Sequence, residues 1–347
     1  VSNVDGKRIQ QKVPLTATAT QQINTFNDYT FYEKEEISIL AAGTQWFCNG
    51  NFNIENSQNF KIPFPNAVSD EDISIKVRGV STSVATSTME VKINGQAIYS
   101  LNYGSVNSGS LTKARTSEKT ASIKNSANII DVSITYNNNG NPSASAYLDY
   151  IEVVGKKQLV AAGNQFSFRS FEQANATSAV EYDIQNKTNI FQVWDVSNSI
   201  APKNITNEDT GSNFKFKDDS GSLKEYVVLN QNDYYIPKSL QNGKVPNQNL
   251  HAVKDINYIV ITNSELSGQA ARLANYHQTN SGFTTKVVLL DAIYNEFSSG
   301  SKDITGIRDF LKHVYVTNSS EDKKLKYVCF FGDSSYDYKD RIAGNNN

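Results

Sequence analysis

The sequence predicts a β-rich N-terminal region, a sandwich or jelly roll, followed by the first half of an α/β domain with a parallel sheet. Short segments that alternate apolar and polar residues, separated by turn residues, fill most of the first 250 positions. After a polar linker at residues 238–249, the pattern changes to strand, helix, strand. Residues 327–331 are consecutive apolar residues that end at Gly332 and Asp333, a pattern typical of a parallel strand buried on both faces.

Length and charge exclude several classes of protein. The 347 residues are enough for two or three domains. The 33 basic and 35 acidic side chains leave a net charge of −2 with no basic stripe, which argues against nucleic acid as a partner. No apolar run is long enough for a membrane-spanning helix. Because the sequence lacks an initiator Met and ends in a polar Asn run within the α/β pattern, we expect a fragment of an exported protein.

The N-terminal half predicts three successive parts. Residues 1–50 begin with an arm at 1–28, expected either to lie across something else or to be missing from order, and continue with first strands at 29–32 and 37–47. Residues 51–162 are the sandwich, because residues 73–80, 129–136 and 147–153 alternate and Asn94-Gly95 is a strong hairpin turn. Residues 163–245 hold short strands that form either the second sheet of this sandwich or a separate β subdomain.

Residues 253–347 predict the order β-α-β-α-β. A strand at 256–262 leads to a helix that Asn263 and Ser264 can cap and that ends before Gly282. A strand at 284–290, a short helix at 292–297 and a helix at 303–317 lead to the strand at 327–331. The predicted inward stripes are Leu266, Ala270, Leu273 and His277 on the first helix, and Ile304, Ile307, Leu311 and Val314 on the last.

Thiols and imidazoles show no catalytic pattern. Cys329 lies mid-strand and Cys48 follows Trp46-Phe47, so both are expected to be structural, unpaired thiols rather than nucleophiles. His277 and His313 fall on helices and His251 in the linker, without metal-ligand spacing.

Two groups of carboxylates have open interpretations. Asp333, Asp337 and Asp340 in the last loop are either solvated or part of a site for a hard cation or substrate, since ligands bind at this sheet edge. Glu296 either orients a catalytic histidine or is simply exposed.

Long stretches of the sequence resemble the gingipain-type cysteine peptidases, peptidase family C25. INYIVIT, ARLANYHQTNSGFTTKVV, IYNEFSSGSKDITGIRDFLKHVY and LKYVCFFGDSSYDYK look like the start of the peptidase domain, and YEKEEISILAAGTQWF supports the match. The similarity is strongest to the sortase branch that serves type IX secretion. The resemblance implies a caspase-like α/β fold, which the region after residue 253 would begin.

The resemblance also implies a function. Such a sortase acts at the cell surface on the outer membrane, where a Cys-His dyad at consecutive strand ends removes the C-terminal sorting domain of secreted cargo. Its implied partners are that cargo, other type IX subunits and an anionic lipopolysaccharide acceptor, with calcium as a structural ion. Glu296 falls where the family carries the acid that supports its histidine. Ser334 stands where gingipains carry the histidine itself, and the cysteine is expected beyond Asn347, so we expect this fragment to be inactive.

Two non-enzymatic alternatives stay open. The protein is either a relative of these sortases that has lost the dyad and binds cargo or glycan, which Ser334 favours, or it carries an independent carbohydrate-binding module at residues 50–155. An exposed aromatic platform would support the second alternative.

Overall fold

The computed structural model describes residues 6, 8–107, 109–125, 127–231, 233–238, 245–337 and 341. The chain divides into two compact units, residues 1–237 and 238–347. The strands of the first unit are β1 Gln10–Gln11, β2 Gln21–Ile23, β3 Thr25–Glu33, β4 Ser57–Pro63, β5 Asp72–Ser81, β6 Ser87–Ile93, β7 Gln96–Tyr103, β8 Arg115–Lys124, β9 Ile129–Asn137, β10 Ala146–Gln158, β11 Phe166–Phe168, β12 Val180–Ile184, β13 Gln192–Asp195, β14 Lys203–Ile205, β15 Phe214–Asp218 and β16 Tyr226–Leu229. One short helix, α1 Phe171–Asn175, and a 3₁₀ turn, Lys187–Asn189, lie between them.

A sandwich of two four-stranded antiparallel sheets forms the larger part of the first unit. Their strand orders are β3-β10-β5-β8 and β4-β9-β6-β7. Ile73, Ile75 and Val77 of β5 are at most 1% exposed, as the alternation predicts, because these side chains face one shared core. The predicted turn joins β6 to β7, with Asn94 at φ 49° and Gly95 at φ 82°. Positive φ at both positions is what a tight type I′ hairpin requires.

The short strands predicted within residues 163–245 form a small β subdomain with a core of its own rather than a second sheet of the sandwich. Its sheets have the orders β1-β14-β13-β16-β11 and β15-β12-β2. The N-terminal arm therefore does lie across another part of the chain: β1 pairs in parallel with β14, and β2 in parallel with β12.

The strand predicted at residues 37–47 is wrong. Only an isolated bridge joins Ile37 to Phe47, and the residues between them bend. Ala41 and Gly43 have positive φ, which interrupts an extended conformation, and Leu40 is 59% exposed.

The second unit contains the predicted β-α-β-α-β order. Its elements are β17 Tyr258–Thr262, α2 Ser267–Ser281, β18 Thr285–Leu289, α3 Leu290–Phe297, α4 Ile304–Val316, a 3₁₀ turn Glu321–Lys323 and β19 Tyr327–Phe331. The strands are parallel in the order β18-β17-β19. Gly282 ends α2 at φ 68°, as predicted for a helix C-terminus. None of the helices in the described parts of the chain is long and apolar enough to cross a membrane.

The inward helix faces match the predicted stripes in part. On α4 the predicted residues Val314, Ile307 and Leu311 face the core, together with Phe310, whereas Ile304 is 46% exposed. The ring of Phe310 packs 5.5 Å from that of Phe297. On α2 the predicted residue Ala270 is buried, and so is Ala274, whereas Leu273 and His277 are only partly covered.

The expectation that β19 is buried on both faces is also wrong. Tyr327 is 53% and Phe330 64% exposed. In the part of the sheet that the structure describes, β19 pairs with β17 alone and is an edge strand. Cys329 at its centre is partly buried rather than a core residue.

Candidate functional site

The loop after β19 lies at the carboxyl edge of the parallel sheet, where α/β proteins place ligands. Thr262 Oγ1, at the end of β17, donates a hydrogen bond of 2.8 Å to the Phe331 carbonyl, so the ends of the two strands are fastened together. Gly332 follows at φ 149°, a conformation that residues with side chains rarely adopt. Asp333 accepts a hydrogen bond of 2.9 Å from the backbone N–H of Ser334, so its carboxylate first stabilises its own turn.

Asp337 is fully buried and organises the same loop. Its Oδ1 accepts a hydrogen bond of 2.9 Å from the Arg341 N–H, and its own N–H donates 3.0 Å to Ser335 Oγ. No group of three or more His, Cys, Asp or Glu side chains suited to a metal ion occurs among the described residues. Asp340 lies outside them, so a cation at this loop stays a prediction.

Glu296, the predicted supporting acid, lies at the end of α3 and holds the segment before β17. Its carboxylate accepts hydrogen bonds from the N–H groups of Leu250 (2.7 and 2.8 Å) and His251 (3.2 Å), and from Gln248 Nε2 (2.8 Å). It also lies 2.8 Å from His251 Nδ1. Desolvation raises the pKa of Glu296, but the hydrogen bonds from Leu250, Gln248 and His251 outweigh it and lower the pKa to about 2.

The structure therefore gives Glu296 a histidine partner that the sequence did not identify. The His251 ring stacks 4.4 Å from the ring of Phe297 and lies 5.3 Å from that of His313. His313 Nε2 lies 2.9 Å from the His251 carbonyl. Glu296 engages Nδ1 of His251, and 57% of this side chain is exposed. A carboxylate-oriented imidazole can take up and return a proton, but here it precedes β17 instead of following a strand end.

The two thiols are free and neither contacts a histidine in the described structure. Cys48 is buried, donates to the Asp149 carbonyl at 3.7 Å, and its pKa is raised to about 11 because burial disfavours the thiolate. Cys329 lies in β19 beside Tyr258 and Val260, in the apolar cluster under α2. The described residues thus bring together no Cys-His dyad.

A second polar cluster, which sequence patterns did not indicate, lies in the β subdomain. Lys12 Nζ is 2.6 Å from Asp195 Oδ2 and is also paired with Asp218, which Lys224 and Tyr226 contact too. Desolvation raises the pKa of Asp218, yet the hydrogen bonds from Lys12, Lys224 and Tyr226 hold it below its ordinary value. Because each charge has a partner, the cluster fastens the N-terminal arm rather than forming a reactive site.

Comparison with known proteins supports the predicted family. Residues 251–347 match the model of peptidase family C25. No curated protein matches the sequence. The fold is similar to the crystal structure of dimeric latent PorU from Porphyromonas gingivalis, with a TM-score of 0.76 and 21% identity over 97% of this chain. The match covers 32% of that PorU chain, so the present chain spans about a third of its relative.

Two carbohydrate-binding modules match smaller parts of the fold. One is a CBM36 module in complex with calcium and xylotriose (TM-score 0.21, 18% identity, 28% of this chain and 71% of that chain). The other is a family 35 module from Clostridium thermocellum (TM-score 0.24, 18% identity, 36% of this chain and 91% of that chain). Scores this low carry no argument about sugar binding.

Proposed function

We propose that this chain is part of a cell-surface cysteine peptidase related to PorU, in which residues 251–347 begin the peptidase domain. The observation that carries the proposal is that the region matching peptidase family C25 is the one that folds as a parallel β-α-β-α-β unit. The likeness of fold to PorU over 97% of the chain supports extending it to the β-rich half.

The proposed substrate is the C-terminal sorting domain of type IX secretion cargo. The protein would be exported, associate with the outer membrane and meet other type IX subunits there. The acyl-enzyme would be resolved by water or by an amine of anionic lipopolysaccharide, the second route giving surface anchoring. In either case a thiolate attacks the peptide carbonyl, an imidazole returns the proton to the leaving amine, and backbone N–H groups stabilise the oxyanion.

The described residues supply the frame of this site rather than its dyad. The thiol of Cys48 is buried with a raised pKa, and Cys329 lies within a strand rather than at its end. The nucleophile would therefore lie in a part of the peptidase that corresponds to the region of PorU outside the matched 32%. The role of Glu296 as the acid that supports the catalytic histidine stays a proposal; in this structure the histidine that it contacts is His251, 2.8 Å from its carboxylate.

Ser334 favours a second candidate, a catalytically silent surface protein that binds cargo or glycan. It follows Gly332 and Asp333 at the strand end where the family resemblance places a histidine. A protein with this loop and without a dyad would keep the fold and bind the cargo without cleaving it.

Cleavage by the whole protein separates these candidates. The protein encoded by the complete gene is incubated with a carrier fused to a type IX sorting domain, and the products are identified by mass spectrometry. We expect cleavage at the fusion junction that iodoacetamide abolishes and that survives in a Cys48→Ser, Cys329→Ser double variant. Co-purification of the uncut fusion, without any cleavage, would support the binding protein instead.

A further inference from the structure

Three aromatic side chains of the β subdomain lie close together and open to solvent. Phe191 is 48% and Tyr234 45% exposed, and Trp194 is partly exposed. The ring centroid of Tyr234 lies 6.1 Å from that of Trp194 and 6.3 Å from that of Phe191. We call these three rings, together with Gln192, the aromatic platform. Exposed apolar side chains that cluster in this way mark binding sites, whereas single ones do not.

The aromatic platform is built on the middle of a sheet. Gln192 and Trp194 are two residues apart in β13, so their side chains share one face, while Val193 between them is buried on the other. Strand β13 pairs with β14 on one side and with β16 on the other, so the backbone below the platform is held from both sides. Tyr234 reaches the same face from the segment that follows β16.

Gln192 holds two of the rings in place. Its Oε1 accepts hydrogen bonds from Trp194 Nε1 at 3.1 Å and from the Tyr234 hydroxyl at 2.9 Å. Because an indole N–H can only donate, the oxygen of the amide and not its nitrogen must face Trp194, which fixes the orientation of the amide. The two Nε2 donors of Gln192 make no hydrogen bond in the described part of the chain, so they are available to a ligand.

The groups that the aromatic platform offers indicate the class of its ligand. They are apolar ring faces, the amide N–H donors of Gln192 and the phenol oxygen of Tyr234 as an acceptor, and none of them is charged. A sugar ring complements this set, because its faces carry C–H bonds and the hydroxyls on its rim both donate and accept. A proline-rich peptide presents carbonyl acceptors, but the indole and phenol donors that would bind them are already used by Gln192.

We propose that the aromatic platform binds an uncharged sugar ring of the glucose type, whose equatorial hydroxyls leave C–H bonds on both faces. The sugar stacks on the ring of Trp194 or Tyr234, its oxygens accept from Gln192 Nε2, and a hydroxyl donates to the Tyr234 oxygen. Because Gln192 already orders both rings, little side-chain entropy is lost on binding. The platform lies outside residues 50–155, so it is separate from the module predicted there, and it binds sugar whether or not the protein has a catalytic dyad.

Calorimetric titration of this chain with cellohexaose tests the site. We expect saturable binding, and we expect Tyr234→Ala to weaken it roughly tenfold, because a stacking ring and an acceptor are lost. The control is Tyr276→Ala, which removes a tyrosine that is 58% exposed on α2 and should leave the affinity unchanged. Absence of cellohexaose binding, or equal binding by the two variants, would overturn the proposal.

Two substitutions of Gln192 separate a sugar from a proline-rich peptide. Gln192→Leu removes the acceptor that holds both rings and should weaken cellohexaose binding roughly tenfold. Gln192→Glu keeps that acceptor, and its carboxylate can also accept from a sugar hydroxyl, so the loss should be smaller, about threefold. Decaproline has backbone carbonyls but no backbone N–H donors, and we expect it not to bind. If decaproline binds, Gln192→Glu abolishes that binding and cellohexaose does not bind, the platform belongs to a peptide and the proposal is wrong.

Discussion

The carboxylate of Glu296 lies 2.8 Å from Nδ1 of His251, a residue 45 positions earlier in the chain. The same carboxylate accepts two backbone N–H groups of that segment, from Leu250 and from His251 itself. One side chain at the end of α3 therefore both contacts an imidazole and fixes the segment that leads into β17.

We expect Glu296→Gln to loosen the segment before β17. An amide loses the charge-assisted hydrogen bonds, which should cost about 1–3 kcal/mol at pH 7. The measurement is amide hydrogen exchange by mass spectrometry on peptides that cover residues 248–262. Glu265→Gln, at an exposed position near α2, is the matched control and should leave the exchange of these peptides unchanged.

The same carboxylate gives a pH dependence. Because folding lowers the pKa of Glu296 from its ordinary 4.5 to about 2, its contribution to stability is complete above pH 4.5 and is lost as the pH falls toward 2. The difference in exchange between the unmodified chain and Glu296→Gln should therefore shrink across that window. A difference that stays constant down to pH 2 would show that the ionised carboxylate is not its source.

We expect Lys12→Met to destabilise the β subdomain by roughly 3 kcal/mol. The substitution leaves Asp195 without its described cation and Asp218 with Lys224 alone, and an uncompensated buried charge is costly. Urea unfolding measures this loss of stability when it is followed by the fluorescence of Trp194, which adjoins Asp195 in β13. Lys61→Met removes an exposed lysine and should unfold like the unmodified chain; equal midpoints for both variants would contradict the buried pairing.

Gly155→Ala should destabilise the sandwich by about 1–3 kcal/mol through overpacking. A Cβ at this position would lie 2.7 Å from Ile73 Cγ2 and 3.3 Å from Ile73 Cβ, atoms of a branched side chain in the core. At Gly104 a Cβ would meet nothing within 4 Å, so Gly104→Ala is the control. Thermal unfolding of both variants measures the difference, and equal midpoints would contradict the close approach.

Cys48 should resist alkylation until the sandwich unfolds. Burial raises its pKa to about 11, so at pH 8 little thiolate is present and reagent has little access. A Cys329→Ala chain, which retains Cys48 alone, should react with iodoacetamide slowly when native and rapidly in denaturant. Rapid labelling of the native chain would show that the site opens without unfolding.

The sequence predicts those parts of the fold that local patterns determine. The alternation of apolar Ile73, Ile75 and Val77 with polar residues predicts a half-buried strand, as observed. Asn94-Gly95 predicts a tight turn because both residues readily adopt positive φ. The β-α-β-α-β order is likewise predicted by the change in the spacing of apolar residues after the linker at residues 238–249. The resemblance to peptidase family C25 is confirmed for residues 251–347.

Tertiary structure explains the positions at which predictions from local sequence patterns differ from the structure. Residues 37–47 have strand composition, but Ala41 and Gly43 adopt positive φ. The predicted stripe of α4 holds for Ile307, Leu311 and Val314, which pack in the core, whereas Ile304 in the first turn is exposed and Phe310 is buried as well. The partnership of Glu296 with His251 spans 45 positions, and no spacing rule connects residues so far apart.

The N-terminal arm has a consequence for the order in which the chain acquires its structure. Strands β1 and β2 are made first, yet their partners β14 and β12 follow only after the entire sandwich sequence. The sandwich can fold while Ile23, which is buried in the core of the subdomain in the final structure, is still exposed to solvent. Pairing at such long sequence separation is slow because the entropy of loop closure is lost before any stabilising contact forms. We therefore expect docking of this arm to be a late step in the folding of the N-terminal half, and the arm to be open to chaperone capture until then.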